Sequence, residues 1–115
     1  MTEIQNSKRY DLEDRTQSFS RIVFSLVGNV PKSVVNLEIT KQLVRSAGSI
    51  GANYIEANDS LSKKDFAMRV KICRKEAKET IYWLNLLEKI EKPEKLIHEA
   101  TQLMKIFGAI LEKVK

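Results

Sequence analysis

One cysteine, one histidine and two prolines stand among 115 residues, and each scarcity removes a class of protein. Cys73 has no partner for an internal disulfide, which fits a reducing compartment and argues against a disulfide-stapled secreted domain. The lone histidine, His98, cannot supply the paired Glu-x-x-His motifs of a di-iron bundle, and the string Glu76-Ala77-Lys78-Glu79 contains no histidine at all. No metal and no cofactor are therefore expected. No apolar run approaches the roughly 20 residues of a membrane span, and the opening MTEIQNSKRYD is too polar for a secretory signal. These absences read as a cytoplasmic protein with no membrane partner. Gly48-x-x-Gly51 lacks both the length and the following Lys-Ser/Thr of a phosphate-binding loop. No internal repeat or low-complexity tract occurs. Nothing singles out an acid–base pair among 15 carboxylates, so no catalytic residue is assigned and no enzymatic activity is expected.

What the chain does have is an ordinary 43% hydrophobic content and a surplus of basic residues, 20 against 15 acidic, giving a formal charge of +5 and a pI near 9.4. That suits a single domain spanning residues 1–115 and favours an anionic partner. Pro31, Pro93 and the polar stretch Asn58-Asp59-Ser60-Leu61-Ser62 break the apolar pattern into four segments. Each repeats apolar residues at three-and-four spacing, and none alternates with the period of a half-buried strand. Helices are predicted over about residues 11–30, 33–57, 62–91 and 94–114. Gly28-Asn29 before Pro31 stops the first, Ser62 with Asp65 starts the third, and Pro93 suits the first turn of the fourth. Four amphipathic helices with short connections make an all-α, antiparallel up-down-up-down four-helix bundle.

The third segment carries more than a core stripe. Phe66, Val70, Cys73, Ala77, Ile81, Leu84 and Leu87 fall on one side. Met68, Ile72, Trp83, Leu86 and Ile90 project from another, interleaved with Glu76 and Glu79. The second apolar group suggests a subunit interface, the alternative being a core broadened around a central helix. The remaining side holds Lys64, Lys71, Arg74, Lys75, Lys78 and Lys89, with Tyr82 among them. Lys71, Lys75 and Lys78, at i, i+4 and i+7, are spaced to meet successive phosphates, although a lysine face can also be no more than solvated.

In the second segment Gly48 and Gly51 lie inside a helix, where each costs about 1 kcal/mol relative to alanine. Small side chains at i and i+4, Ala47 with Gly51 and Gly48 with Ala52, allow another backbone close, so the glycines read as contact points. The Glu76, Glu79 and Trp83 side of the third helix, from the same chain or a neighbour, is the surface expected against them. Arg45 then has carboxylates to pair with, while Asn53 and Glu56 need donors such as Arg15 or Arg74.

The run QLVRSAGSIGANYIEA, followed by SKKDFAMRVKICRKEAKETIYWLNLLEKI, resembles the four-helix-bundle proteins of the 23S rRNA intervening-sequence family. The resemblance rests on Arg45, Ser46, Ser49, Ile50, Asn53, Glu56 and Ala57, then Phe66, Lys75, Glu76, Ala77, Glu79, Thr80, Trp83 and Leu84, with Arg15, Thr16 and Phe19 in the first helix. Gly48 departs from the pattern. The family resemblance implies antiparallel helices assembled as a homopentamer, similar to the accessory protein of diversity-generating retroelements, which binds nucleic acid through basic surface and contacts a reverse transcriptase. Two functions fit these observations. One is an oligomeric RNA- or DNA-binding protein, RNA being favoured, with Lys64, Lys71, Arg74, Lys75 and Lys78 on phosphates and Arg45, Gly48, Gly51, Asn53, Glu56, Glu76, Glu79 and Trp83 in assembly or packing. The other is a homo-oligomeric scaffold for a protein partner, the lysines serving solubility.

Overall fold

Four helices follow one another along the chain, α1 (Glu3–Asn29), α2 (Val34–Asn58), α3 (Lys63–Leu86) and α4 (Glu94–Lys113), and no strand occurs among the described residues. The computed structural model describes residues 3–114, with the side chains of residues 11–114. The helices form the up-down-up-down bundle: α3 lies between α2 and α4, while α1 packs on α2 and, more narrowly, on α4. The bundle measures 47 × 24 × 19 Å.

Local chemistry starts α2, α3 and α4 close to where the sequence predicts. Ser33 and Ser62 adopt extended backbone, and each hydroxyl accepts a hydrogen bond from the N–H three residues on, Asn36 and Asp65, at 3.0 Å. Each cap satisfies one of the donors that a helix start leaves without a partner. Pro93 stands at the N-cap of α4, one place earlier than a first-turn proline, and its carbonyl accepts from Ile97 N–H at 3.0 Å.

Two boundaries differ from expectation. α1 begins at Glu3, eight residues before the predicted start, and α3 stops at Leu86 instead of running to residue 91. The second stop has a tertiary cause. Buried Asn36 of α2 accepts from Glu88 N–H at 2.9 Å and donates to the Glu88 carbonyl at 3.0 Å and the Pro31 carbonyl at 2.9 Å. One side chain thereby fixes both loops at the same end of the bundle and diverts Glu88 from the helical pattern. Lys89 then turns back with φ of 59°, and Ile90 belongs to this connection, not to the helix.

The core is continuous through all four helices. Phe19 and Val23 of α1, Leu43 and Ile50 of α2, Val70 and Leu84 of α3, and Leu103 and Phe107 of α4 are almost fully buried. Tyr54 tilts against Phe107 with ring centroids 5.8 Å apart. Burial of such side chains contributes roughly 1.5–3 kcal/mol each and is the main term holding the bundle together.

The glycines divide. A Cβ added at Gly51 would stand 2.9 Å from Thr16 Oγ1 and 3.3 Å from Thr16 Cβ, so α1 approaches α2 as closely as a missing side chain permits. Beside it, Ser20 donates to the Ala47 carbonyl at 3.0 Å across the same interface. A Cβ at Gly48 would meet only Phe24 Cζ, at an ordinary 3.8 Å. Gly51 therefore serves close packing, but against α1, where the Glu76, Glu79 and Trp83 side of α3 was expected. Gly48 forms no close contact.

Candidate nucleic-acid interface

Lys64, Lys71, Arg74, Lys75 and Lys78 of α3 are all exposed. None makes an ion pair among the described residues. They stay free because the residues between them at helical spacing, Val70, Cys73, Ala77 and Leu84, turn inward and the lysines must then turn out. Lys64, Lys71, Lys75 and Lys78 share the outermost stripe. Arg74 sits toward α4, its Cδ 3.9 Å from where a Gly108 Cβ would be. The stripe also exposes Met68, Tyr82 and Leu86, at 51%, 58% and 40%.

The α2-facing edge of α3 is built differently. Arg45 Nη1 donates to Glu76 Oε2 at 3.0 Å, Arg45 also pairs with Glu79, and Trp83 Nε1 donates to Glu79 Oε2 at 3.0 Å. Gln42 accepts from Arg45 Nε at 3.2 Å. The Glu76 side chain is 6% exposed, and its Oε1 is buried without a hydrogen-bond partner among the described residues. Arg45 is thus what makes a buried carboxylate tolerable, since an unpaired buried charge is costly. Below it Thr80 donates toward Ser46 Oγ at 2.9 Å, and Cys73 Sγ donates to the Ile50 carbonyl at 3.4 Å. Burial pushes the Cys73 thiol up to about 12, so it is protonated at neutral pH and a poor nucleophile.

Neither donor foreseen for Asn53 and Glu56 serves them: Arg74 is exposed on the α4 side, without an ion pair among the described residues. Arg15 forks onto Glu99 of α4 at 2.7 and 2.8 Å, and that bond raises its already high pKa. Asn53 instead accepts from Arg69 at 3.1 Å and donates to Ser49. Glu56 is exposed and takes no part in the network. Arg69 was missed, although Arg69, Ile72, Glu76, Glu79 and Trp83 follow one three-and-four edge. His98 is exposed, and no three His, Cys, Asp or Glu side chains among the described residues are placed to hold a metal ion. No helix among the described residues is long and apolar enough to cross a membrane.

The fold has a counterpart among known structures. A crystal structure of a protein of unknown function from the S23 ribosomal protein family of Bacteroides thetaiotaomicron superposes with a TM-score of 0.77 at 33% identity, covering 91% of this chain and 98% of that one. No curated protein matches the sequence. The profile of the 23S rRNA-intervening sequence protein family matches residues 8–111, almost the whole bundle. By fold and by sequence, the chain belongs to the 23S rRNA-intervening sequence protein family.

Proposed function

We propose that the chain is a non-enzymatic, homo-oligomeric RNA-binding protein of the cytoplasm that holds phosphates on the outer face of α3. The observation that carries this reading is the stripe of Lys64, Lys71, Lys75 and Lys78, exposed and without ion pairs among the described residues. Lysines used only for solubility are commonly interspersed with acids. Here the carboxylates next to Lys75 and Lys78, Glu76 and Glu79, turn to Arg45 instead, and Asp65 in the first turn makes no ion pair with the stripe. The +5 charge points the same way. Oligomerisation, as a pentamer by the resemblance, is supported by apolar side chains that one copy leaves uncovered on α1 and α2, including Phe24 at 43%, Leu37 at 57% and Ile55 at 50%. Five copies of a +5 chain would concentrate about +25 on one assembly and make weak phosphate contacts additive.

The test is solution mass by light scattering beside titration of a structured RNA at low and moderate salt. An oligomer whose affinity falls steeply with salt, with a shallower slope in the Lys71→Ala, Lys75→Ala, Lys78→Ala variant, is the expected result. The scaffold reading has its own observation, an open apolar groove of about 660 Å³ lined by Val27, Pro31, Val34 and Leu37. Salt-insensitive capture of one protein, with no RNA bound, would favour it.

A further inference from the structure

Tyr82 is the one aromatic on the lysine stripe, and the structure gives it no role in the fold. Its ring is 58% exposed, while the neighbouring Trp83 is partly buried against the core. The two rings meet edge to face, 5.0 Å between centroids at 68°. Trp83 is itself held, because its indole N–H donates to Glu79, which is paired with Arg45. The exposed ring therefore leans on an anchored neighbour and projects one face to solvent in a set orientation. Lys78 and Lys75 precede it by four and seven residues, about 6 and 10 Å of helix rise. Met68 and Leu86 flank the same stripe and keep it partly apolar.

Resting on the phosphate-binding reading, we infer that Tyr82 is a stacking platform for an unpaired base, so that this face takes single-stranded or looped RNA. In a duplex the base faces are already stacked on one another, and only phosphates and groove edges are offered. Lysines alone serve duplex and single strand alike. An exposed, oriented ring one to two turns from those lysines adds contact only when a base is free, because its flanking phosphates then fall on Lys75 and Lys78 while the base covers the ring. The unpaired lysines make the apolar part of the stripe complementary to an anionic occupant, and a copy docked on it across a two-fold axis would set lysines against lysines.

The test uses the full chain with oligouridylate, which has little structure of its own, and a blunt RNA duplex of equal length at the same salt. Trp83, the only tryptophan, reports directly through its fluorescence. Tyr82→Ala weakens oligouridylate binding roughly fivefold or more and removes the fluorescence change, while duplex binding stays within about twofold. Tyr82→Phe retains both. Circular dichroism of Tyr82→Ala matches the parent, since the side chain is exposed. Equal losses on both RNAs, or no loss on either, would overturn the stacking role and leave the phosphate-binding reading standing. Failure of the parent protein to bind either RNA at low salt would overturn both.

Discussion

Asn36 shows how much one polar side chain can decide. Its amide is buried and makes three bonds to the two loops at one end of the bundle. Asn36→Ala strands the Glu88 N–H and two carbonyls, and a loss of about 2–4 kcal/mol in urea denaturation at fixed protein concentration is expected. Asn36→Asp does not rescue, because a carboxylate cannot donate to the carbonyls of Pro31 and Glu88. Cys73 makes a second prediction at this scale. Its folded pKa is raised from 9.0 to about 12. Below the lower value both states keep the proton and stability is independent of this group. Above it the unfolded chain releases the proton while the folded chain retains it, so stability falls as pH rises through that window. Denaturation between about pH 8 and 10 should show the parent losing roughly 1 kcal/mol more than Cys73→Ala, the lysines being common to both. Equal pH slopes for the two proteins would refute the assignment.

At the scale of the helix, the two glycines of α2 make opposite predictions. Gly48→Ala meets ordinary contact distance and should stabilise the protein by about 0.5–1 kcal/mol through helix propensity. Gly51→Ala drives a methyl into Thr16 and should cost about 1–3 kcal/mol, most of it recovered when Thr16→Ala is added. Thermal or urea unfolding of the four variants decides both. The contrast also marks the limit of what the sequence reveals. The three-and-four apolar rhythm of the helices, the Ser62 cap and the pairing of Arg45 with Glu76 and Glu79 follow from spacing and residue chemistry and are legible there, although Val44 and Ile55 share the rhythm of α2 and are exposed. Gly51 reads as a contact point, but its partner Thr16 lies on another helix, and no local signal distinguishes α1 from α3 as the neighbour. The end of α3 was hidden for the same reason. Leu87 and Ile90 continue the apolar rhythm, while the stop comes from Asn36, 52 residues from Glu88. Arg69 lies on the same three-and-four edge as Glu76 and Trp83, and that spacing is the signal in the sequence for its bond to Asn53.

For the whole molecule, on the proposed reading of an RNA-binding oligomer, the question is which surface stays free for RNA. Two faces carry exposed apolar side chains, the outer side of α1 and α2 with Phe24, Leu37, Val44 and Ile55, and the outer side of α3 with Met68, Tyr82 and Leu86. Burying the α3 face against a copy would desolvate unpaired lysines, which is costly unless the neighbour's facing patch supplies carboxylates. The α2 stripe meets no such penalty, and its Lys41 is already paired with Glu38 at 3.6 Å. Assembly through α1 and α2 leaves the lysines pointing outward from the oligomer, where their summed field is greatest. Leu37→Glu with Val44→Glu should therefore give a folded monomer at low micromolar concentration, because the two positions are 57% and 38% exposed in a single copy and support little of its core. RNA affinity should fall by roughly a hundredfold as multivalency is lost. The salt dependence per chain should remain, because Lys71, Lys75 and Lys78 are untouched. Light scattering and a salt titration of the same variant separate these effects. An unchanged mass would move the subunit contact to another face, and a monomer that binds RNA as tightly as the parent would remove avidity from the mechanism.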